Sequence, residues 1–303
     1  MTCFHPLKAW RSLTEETPAG RSKIVFRLPA GPAEPIELAC GQCMGCRIAR
    51  SREWAVRCVH EASLHEDNCF VTLTYSPEHL PPDGSLRKKD HQDWLKRLRS
   101  RYPVKKIRYF LCGEYGSSLS RPHYHALLFG FRPVDLIPHS RSGEFVVYIS
   151  PDLQSTWPHG YVWVGDVTWE SAAYVARYVL KKVNGEKAWE HYVQSIDPET
   201  GEVRALEPEY IAMSRRLGLG AGWFTDFRGD TDKGYVTVSG RRYGVPRYYD
   251  HILERTDLEA WARRRLQRRQ QAAERAEPPE RLPAIEEYTR RQCADRLKRR
   301  FEE

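Results

Sequence analysis

Ile107-Arg108-Tyr109-Phe110-Leu111-Cys112-Gly113-Glu114-Tyr115-Gly116 and His123-Tyr124-His125-Ala126-Leu127-Leu128-Phe129-Gly130 are two short apolar runs. A turn-like link, Ser117-Ser118-Leu119-Ser120-Arg121-Pro122, joins them. Each run reads as a strand, over 106–113 and 123–131, and the link reads as a hairpin loop. Side chains two apart on a strand share a face. His123 and His125 therefore project together, and Tyr124 points the other way. Antiparallel pairing would bring Glu114 back beside the histidines. Two imidazoles and a carboxylate suit a divalent ion such as Mn²⁺ or Mg²⁺ with positions left open. An isolated His-x-His also occurs as two solvent-facing histidines on an edge strand.

Further along, Trp169 to Val183 has helical character. Thr168 can cap it, Glu170 sits in its first turn, and Asn184-Gly185 is a stop signal. Tyr174, Tyr178 and Lys181 or Lys182 fall on one stripe of that helix. A tyrosine is a poor nucleophile at neutral pH. A neighbouring lysine would favour the phenolate and neutralise phosphate charge, and a metal that polarises the phosphate would favour attack further. The alternative is an amphipathic helix with packed tyrosines and solvated lysines.

Taken in order, these segments resemble the HUH endonucleases, the rolling-circle replication initiators. The first motif of that family resembles Phe70-Val71-Thr72-Leu73-Thr74-Tyr75, the second Arg121-Pro122-His123-Tyr124-His125, and the third Tyr174 to Lys182. Within the superfamily the chain is most similar to the initiators of small single-stranded DNA phages, the microviruses. Cys40-Gly41-Gln42-Cys43-Met44-Gly45-Cys46-Arg47, Gly113-Glu114-Tyr115-Gly116 and Ser214-Arg215-Arg216-Leu217-Gly218-Leu219-Gly220 support this, and the likeness spans roughly residues 1 to 250. The resemblance implies that Glu114, His123 and His125 bind a divalent metal. It implies that Tyr174 and Tyr178 cleave and rejoin a single-stranded origin through a 5′-phosphotyrosine. Whether one tyrosine or both work is open, because Tyr178-Val179-Leu180-Lys181 also fits the one-tyrosine form. A relaxase or transposase of the same chemistry, and a non-catalytic nucleic-acid-binding module, are the competing readings.

The chain has 303 residues and a formal net charge of +8. Residues 87 to 108 hold ten Lys and Arg against two Asp, an excess equal to that of the whole chain. Arg87, Lys88, Lys89, Lys96, Arg97, Lys105 and Lys106, with Arg121, form a candidate phosphate footprint, the competing view being a solvated helix face. The nine Trp, sixteen Tyr and ten Phe suit stacking on unpaired bases, although most must be core. No apolar run is long enough for a membrane span, and the N-terminus lacks a signal-peptide core. A cytoplasmic protein is expected, in the host bacterial cytoplasm if phage-encoded. There the thiols are reduced, so the eight cysteines do not imply a disulfide framework. Cys40, Cys43 and Cys46 have metal-ligand spacing. A structural zinc needs a fourth ligand; Cys3 is the first candidate, with His5 and Cys58 in reserve. The alternatives are unliganded cysteines or an iron–sulfur cluster. No Gly-rich phosphate loop is visible, so unwinding would fall to a host helicase or to supercoiling, and a host polymerase would extend the 3′ end.

The expected fold is α+β, a central antiparallel sheet with flanking helices, plus a Cys-rich N-terminal segment and a helical C-terminal tail. Expected divisions are 1–66 (Cys-rich, packed on the core), 67–250 (endonuclease) and 251–303 (basic helical tail). A hairpin is expected over 24–38, helices over 47–65 and 88–101, an irregular insert over 132–160, a loop-rich stretch over 185–225, a late hairpin over 234–243, and helices over 250–271 and 284–301.

Overall fold

A computed structural model describes residues 3–18, 22–116, 119–177, 187–196, 203–274 and 277–298. The chain divides into two compact units, Met1–Arg50 with Arg269–Glu303, and Ser51–Arg268.

In the first unit β1 (Leu7–Glu16), β2 (Ser22–Val25) and β3 (Ala33–Leu38) form a three-stranded antiparallel sheet in the order β2-β1-β3. The expected 24–38 hairpin is therefore corrected. Its two arms do not pair with each other; each pairs with β1, Trp10 facing Val25 on one side and Pro35 on the other. The missed strand, Leu-Lys-Ala-Trp-Arg-Ser-Leu-Thr-Glu-Glu, is half polar and only Ala9 and Ser12 are buried, so it lacks the apolar alternation by which strands are recognised.

Helix α1 (Met44–Ala62) leads into β4 (Asn68–Tyr75), α2 (Lys88–Arg101), β5 (Arg108–Tyr115) and β6 (Pro122–Phe129). The insert expected to be irregular instead folds as a hairpin, β7 (Ile137–Ser142) and β8 (Phe145–Ile149), followed by a short helix, α3 (Pro151–Gln154). Then come β9 (Gly160–Gly165) and α4 (Trp169–Arg177). The stretch expected to be loop-rich contains α5 (Lys187–Tyr192), β10 (Val193–Ile196), β11 (Val203–Ala205), β12 (Tyr210–Met213) and α6 (Ala221–Asp226). The late hairpin is β13 (Tyr235–Val238) and β14 (Arg241–Gly244); α7 (Arg247–Thr256), α8 (Leu258–Glu274) and α9 (Leu282–Lys298) complete the chain. Among the described residues no helix is long and apolar enough to cross a membrane.

The protein is thus α+β around a seven-stranded antiparallel sheet, ordered β12-β5-β6-β4-β9-β8-β7. Alternation along β4 assigns its faces: Val71, Leu73 and Tyr75 are buried on one side, while Phe70, Thr72 and Thr74 are partly exposed on the other. The first face meets Trp94, Leu95 and Leu98 of α2, with Tyr124, Ala126 and Leu128 of β6. Trp94 and Leu98 are fully buried, so the basic helix is anchored by its apolar stripe. Under the second face, Phe110, Cys112, Leu127 and Phe129 pack on Ala55 and Cys58 of α1 and on Ala172, Val175 and Ala176 of α4. Gly160, at the start of β9, lies so close to β4 that a Cβ there would sit 2.2 Å from the Thr74 carbonyl oxygen. Only glycine permits that approach.

Candidate active site

Register on the second face builds the site. In β5 and β6, Glu114 stands opposite His123 and Cys112 opposite His125. In β4, Thr74 stands opposite His123 and Thr72 opposite His125. Glu114 Oε1 lies 2.8 Å from His123 Nε2 and 3.0 Å from His125 Nε2. The carboxylate is 1% exposed and His125 6%, so the trio is recessed rather than solvated. Burial alone would raise the Glu114 carboxyl; the two imidazoles outweigh it and hold it down at about 2.

The outer ring nitrogens fix what the trio can hold. His123 Nδ1 is 3.1 Å from the Arg121 carbonyl oxygen. A carbonyl only accepts, so Nδ1 carries the proton, and a neutral His123 then presents a bare Nε2 lone pair to the Glu114 oxygen. That contact needs a proton or a cation between the two groups. His125 Nδ1 shares a 2.9 Å hydrogen bond with Thr72 Oγ1. Outer nitrogens bonded to a carbonyl and a hydroxyl are the usual surroundings of metal-ligating histidines. All three ligand atoms lie within 4.8 Å of one another. Octahedral bonds of about 2.1 Å would set adjacent donors about 3.0 Å apart, matching the two contacts to Glu114. Two nitrogens, one oxygen and this spacing fit a Mn²⁺- or Mg²⁺-type ion with positions open.

Helix α4 brings the first tyrosine to the same place. Ala172, Val175 and Ala176 are its buried face, and Tyr174 lies beside it. The Tyr174 hydroxyl is 3.4 Å from His125 Nε2, and its ring stands edge-on to His125 at 5.0 Å and to Phe70 at 6.3 Å. Arg177, one turn along, lies 5.8 Å from the Tyr174 ring centre. Tyr178, Lys181 and Lys182 lie outside the described residues.

Reading residue types alone missed Thr72 and the Arg121 carbonyl as supports of the histidines. Thr72 fell inside a quoted motif, but its place opposite His125 comes from β4–β6 pairing, for which the sequence carried no signal. The basic residues are mostly paired. Arg87 meets Asp83 at 2.8 Å, Lys88 meets Glu207, Lys89 meets Asp93, Lys96 meets Asp93 at 3.3 Å and Lys105 meets Asp67 at 3.0 Å. Arg97 donates to the Thr156 carbonyl at 2.7 Å and Arg121 to the Tyr75 carbonyl at 3.0 Å, while Lys106 is exposed. Exposed pairs of this kind hold weakly, so a phosphate could exchange for the carboxylates.

A second group lies in the first unit, where Cys3 joins Cys40, Cys43 and Cys46 with all four sulfurs within 4.8 Å. Cys3 Sγ is 3.6 Å from Cys40 Sγ and 3.8 Å from Cys43 Sγ. A tetrahedron with Zn–S bonds of about 2.3 Å has edges of about 3.8 Å. Backbone N–H groups of Cys40, Cys43 and Phe4 donate to the Cys3, Cys40 and Cys43 sulfurs, each at 3.3 Å. Burial would raise the Cys40 thiol, but the N–H groups of Cys43 and Gln42 outweigh it and bring it down to about 7; burial pushes Cys3 and Cys46 up. The donor set fits zinc. Of the reserves, His5 pairs with Glu286 at 2.8 Å, and Cys58 is fully buried in the core of the second unit.

A family model described as a replication-associated protein of the ORF2 kind matches residues 68–183, the segment that carries Thr72, Glu114, His123, His125 and Tyr174. The chain is 32% identical over 272 residues to replication-associated protein VP4 of Bdellovibrio phage phiMH2K, covering 86% of this chain and 80% of that protein. It is 32% identical over 228 residues to replication-associated protein ORF4 of Chlamydia phage 1, covering 72% and 54%. It is also 32% identical over 236 residues to replication-associated protein ORF2 of Spiroplasma virus 4, covering 71% and 67%. No solved structure matches the chain.

Proposed function

The chain belongs to the family of phage replication-associated proteins, and from that premise we propose that it is an HUH-type endonuclease. It nicks and rejoins single-stranded origin DNA, initiating and terminating rolling-circle replication in the host cytoplasm. We assign this chemistry to residues 67–250. The observation that carries the reading is the Tyr174 hydroxyl 3.4 Å from His125 Nε2, beside the Glu114–His123–His125 trio.

Glu114, His123 and His125 would hold Mn²⁺ or Mg²⁺, which when bound polarises the scissile phosphate. The phenol oxygen of Tyr174 attacks phosphorus. The bond from phosphorus to the 3′ oxygen breaks, the phenol loses its proton, and the departing 3′ oxygen gains one. The products are a 5′-phosphotyrosine and a free 3′-hydroxyl, so no nucleotide hydrolysis is needed. Reversal by a 3′-hydroxyl restores the phosphodiester. Tyr178, four residues on, is assigned the second cleavage, and Lys181 and Lys182 neutralise phosphate charge. Helix α2 packs on the sheet face opposite the trio, so the basic residues on and around it, with Arg121, are assigned to DNA flanking the site rather than to the scissile strand itself; host helicase and polymerase are the partners assigned to unwinding and extension. The Cys3–Cys40–Cys43–Cys46 group would hold a structural Zn²⁺.

The test uses labelled single-stranded origin DNA, Mn²⁺ and a denaturing gel. A covalent protein–DNA adduct is expected, and Tyr174→Phe with Tyr178→Phe together should abolish it. An adduct that persists in the double variant refutes the assignment.

A further inference from the structure

The face that carries the histidines does not end at them. Two in-register rows cross four strands of the sheet. One runs Glu114, His123, Thr74, Tyr161, and the other Cys112, His125, Thr72, Trp163. Tyr161 and Trp163 therefore share the face of the candidate metal trio, two strands away. At the usual strand spacing this is about 10 Å. On β4, between them, stand the short side chains of Thr72 and Thr74.

These aromatics are not used as core. Tyr161 is 54% exposed, whereas Val162 and Val164, pointing the other way on the same strand, are 2% and 1% exposed. Trp163 is only partly buried. The two rings lie 6.5 Å apart at 31° to each other, and exposed His139 of β7 adds a third ring 4.8 Å from Trp163. Helices α1 and α4 cover this face at β5 and β6 through Phe110, Leu127 and Phe129. Large aromatics turned outward from a strand expose apolar surface that the fold itself does not need to expose.

We propose that Tyr161 and Trp163 form a nucleobase-stacking subsite, holding unpaired bases of single-stranded DNA one or two nucleotides from the phosphate at the Glu114–His123–His125 centre. This rests on the nicking-and-joining reading and adds how the strand is held. Planar faces accept any base, so the subsite supplies grip and register rather than sequence choice. Continuity with the trio across hydrogen-bonded strands identifies the occupant. A strand whose phosphate sits at the histidines and follows the rows must lay its neighbouring bases past Thr72 and Thr74 onto these rings.

The experiment uses the full chain and a fluorescently labelled single-stranded oligodeoxynucleotide of about 16 bases, with affinity read by anisotropy without added Mn²⁺ or Mg²⁺. Tyr161→Ala and Trp163→Ala should each weaken binding about tenfold, while Tyr161→Phe and Trp163→Phe should stay within about threefold of the parent. On an oligonucleotide with abasic sites at the bases flanking the scissile position, parent and alanine variants should bind alike. Alanine variants that bind intact DNA like the parent, a loss that persists on the abasic strand, or a parent that does not bind, would each overturn the proposal. If Trp163→Ala fails to fold, the more exposed Tyr161 carries the same test. An adduct gel with Mn²⁺ on the same proteins separates the two readings. A stacking signature without any adduct sinks strand cleavage and leaves the subsite. Normal adducts with unaffected binding sink only the subsite.

Discussion

Thr72 is the residue whose substitution best separates orientation from ligation. Its hydroxyl meets His125 Nδ1 at 2.9 Å, on the side of the ring away from Glu114. Removing such an outer partner costs metal affinity tenfold to hundredfold in comparable sites, about 1.4–2.8 kcal/mol. Thr72→Val keeps the shape and the β-branch that suits a strand but deletes the bond. Mn²⁺ affinity by calorimetry should fall by about that factor, while Thr72→Ser should hold near the parent. Equal affinities in all three would show that His125 is oriented by packing alone. Glu114 and the histidines were legible because their types announce ligand chemistry and because one hairpin fixes their register. Thr72 was not, because its role depends on β4 pairing with β6, a contact 53 residues away in the chain that composition and periodicity do not encode. Arg121 was flagged for its charge, yet it is its backbone carbonyl that holds His123.

At the scale of elements, legibility followed pattern strength. Helix α2 spans Lys88–Arg101, the limits that its apolar stripe implies, and β4 alternates cleanly. β1 and β7 are rich in polar residues, so neither carries a strand pattern, and they become strands only through pairing. The cysteine loop has a different determinant. Residues 39–43 are irregular between β3 and α1, and the β1–β3 sheet buries few side chains, so apolar packing supplies little order there. If zinc ties Cys3 to Cys40, Cys43 and Cys46, its removal should release these residues. Metal analysis should find one zinc per chain, about a single equivalent. Chelation, or Cys40→Ser, should speed amide hydrogen exchange across residues 3–46, because the N–H groups of Cys40 and Cys43 would lose their sulfur acceptors. Exchange unchanged in a zinc-free preparation would rule out a structural ion. Binding should also weaken steadily as pH falls, because all four thiols must give up protons to ligate, Cys3 and Cys46 against the rise that burial gives them.

For the molecule as a whole, the buried histidines outside the trio set the response to acid. His60 is 4% exposed, stacks on Trp223 at 3.5 Å and shares a 2.8 Å hydrogen bond with the Tyr249 hydroxyl. His91 is 2% exposed and bonds the Tyr210 hydroxyl at 2.7 Å. Burial pushes His60 down to about 3 and His91 down to about 4. In the unfolded chain both return to about 6.5. Above that value neither state binds the protons and stability is at its plateau. As pH falls below it, the unfolded chain takes up protons that the folded chain refuses, so stability drops until the folded values are reached. The two histidines pin opposite sides of the sheet, His60 through α1 and His91 through α2, so acid loosens both layers at once. Each contributes a slope approaching about 1.4 kcal/mol per pH unit within the window. Urea midpoints measured from pH 7 to 5 should therefore fall, with Glu53, whose carboxyl burial raises, opposing the fall at the acid end. His91→Gln, which keeps a polar partner for Tyr210 but does not titrate, should remove about half of that slope while lowering the plateau at pH 7. A parent protein whose midpoint stays flat across this range would mean that the two imidazoles are charged, or solvated, in the folded chain. A slope left intact by His91→Gln would assign the proton uptake elsewhere.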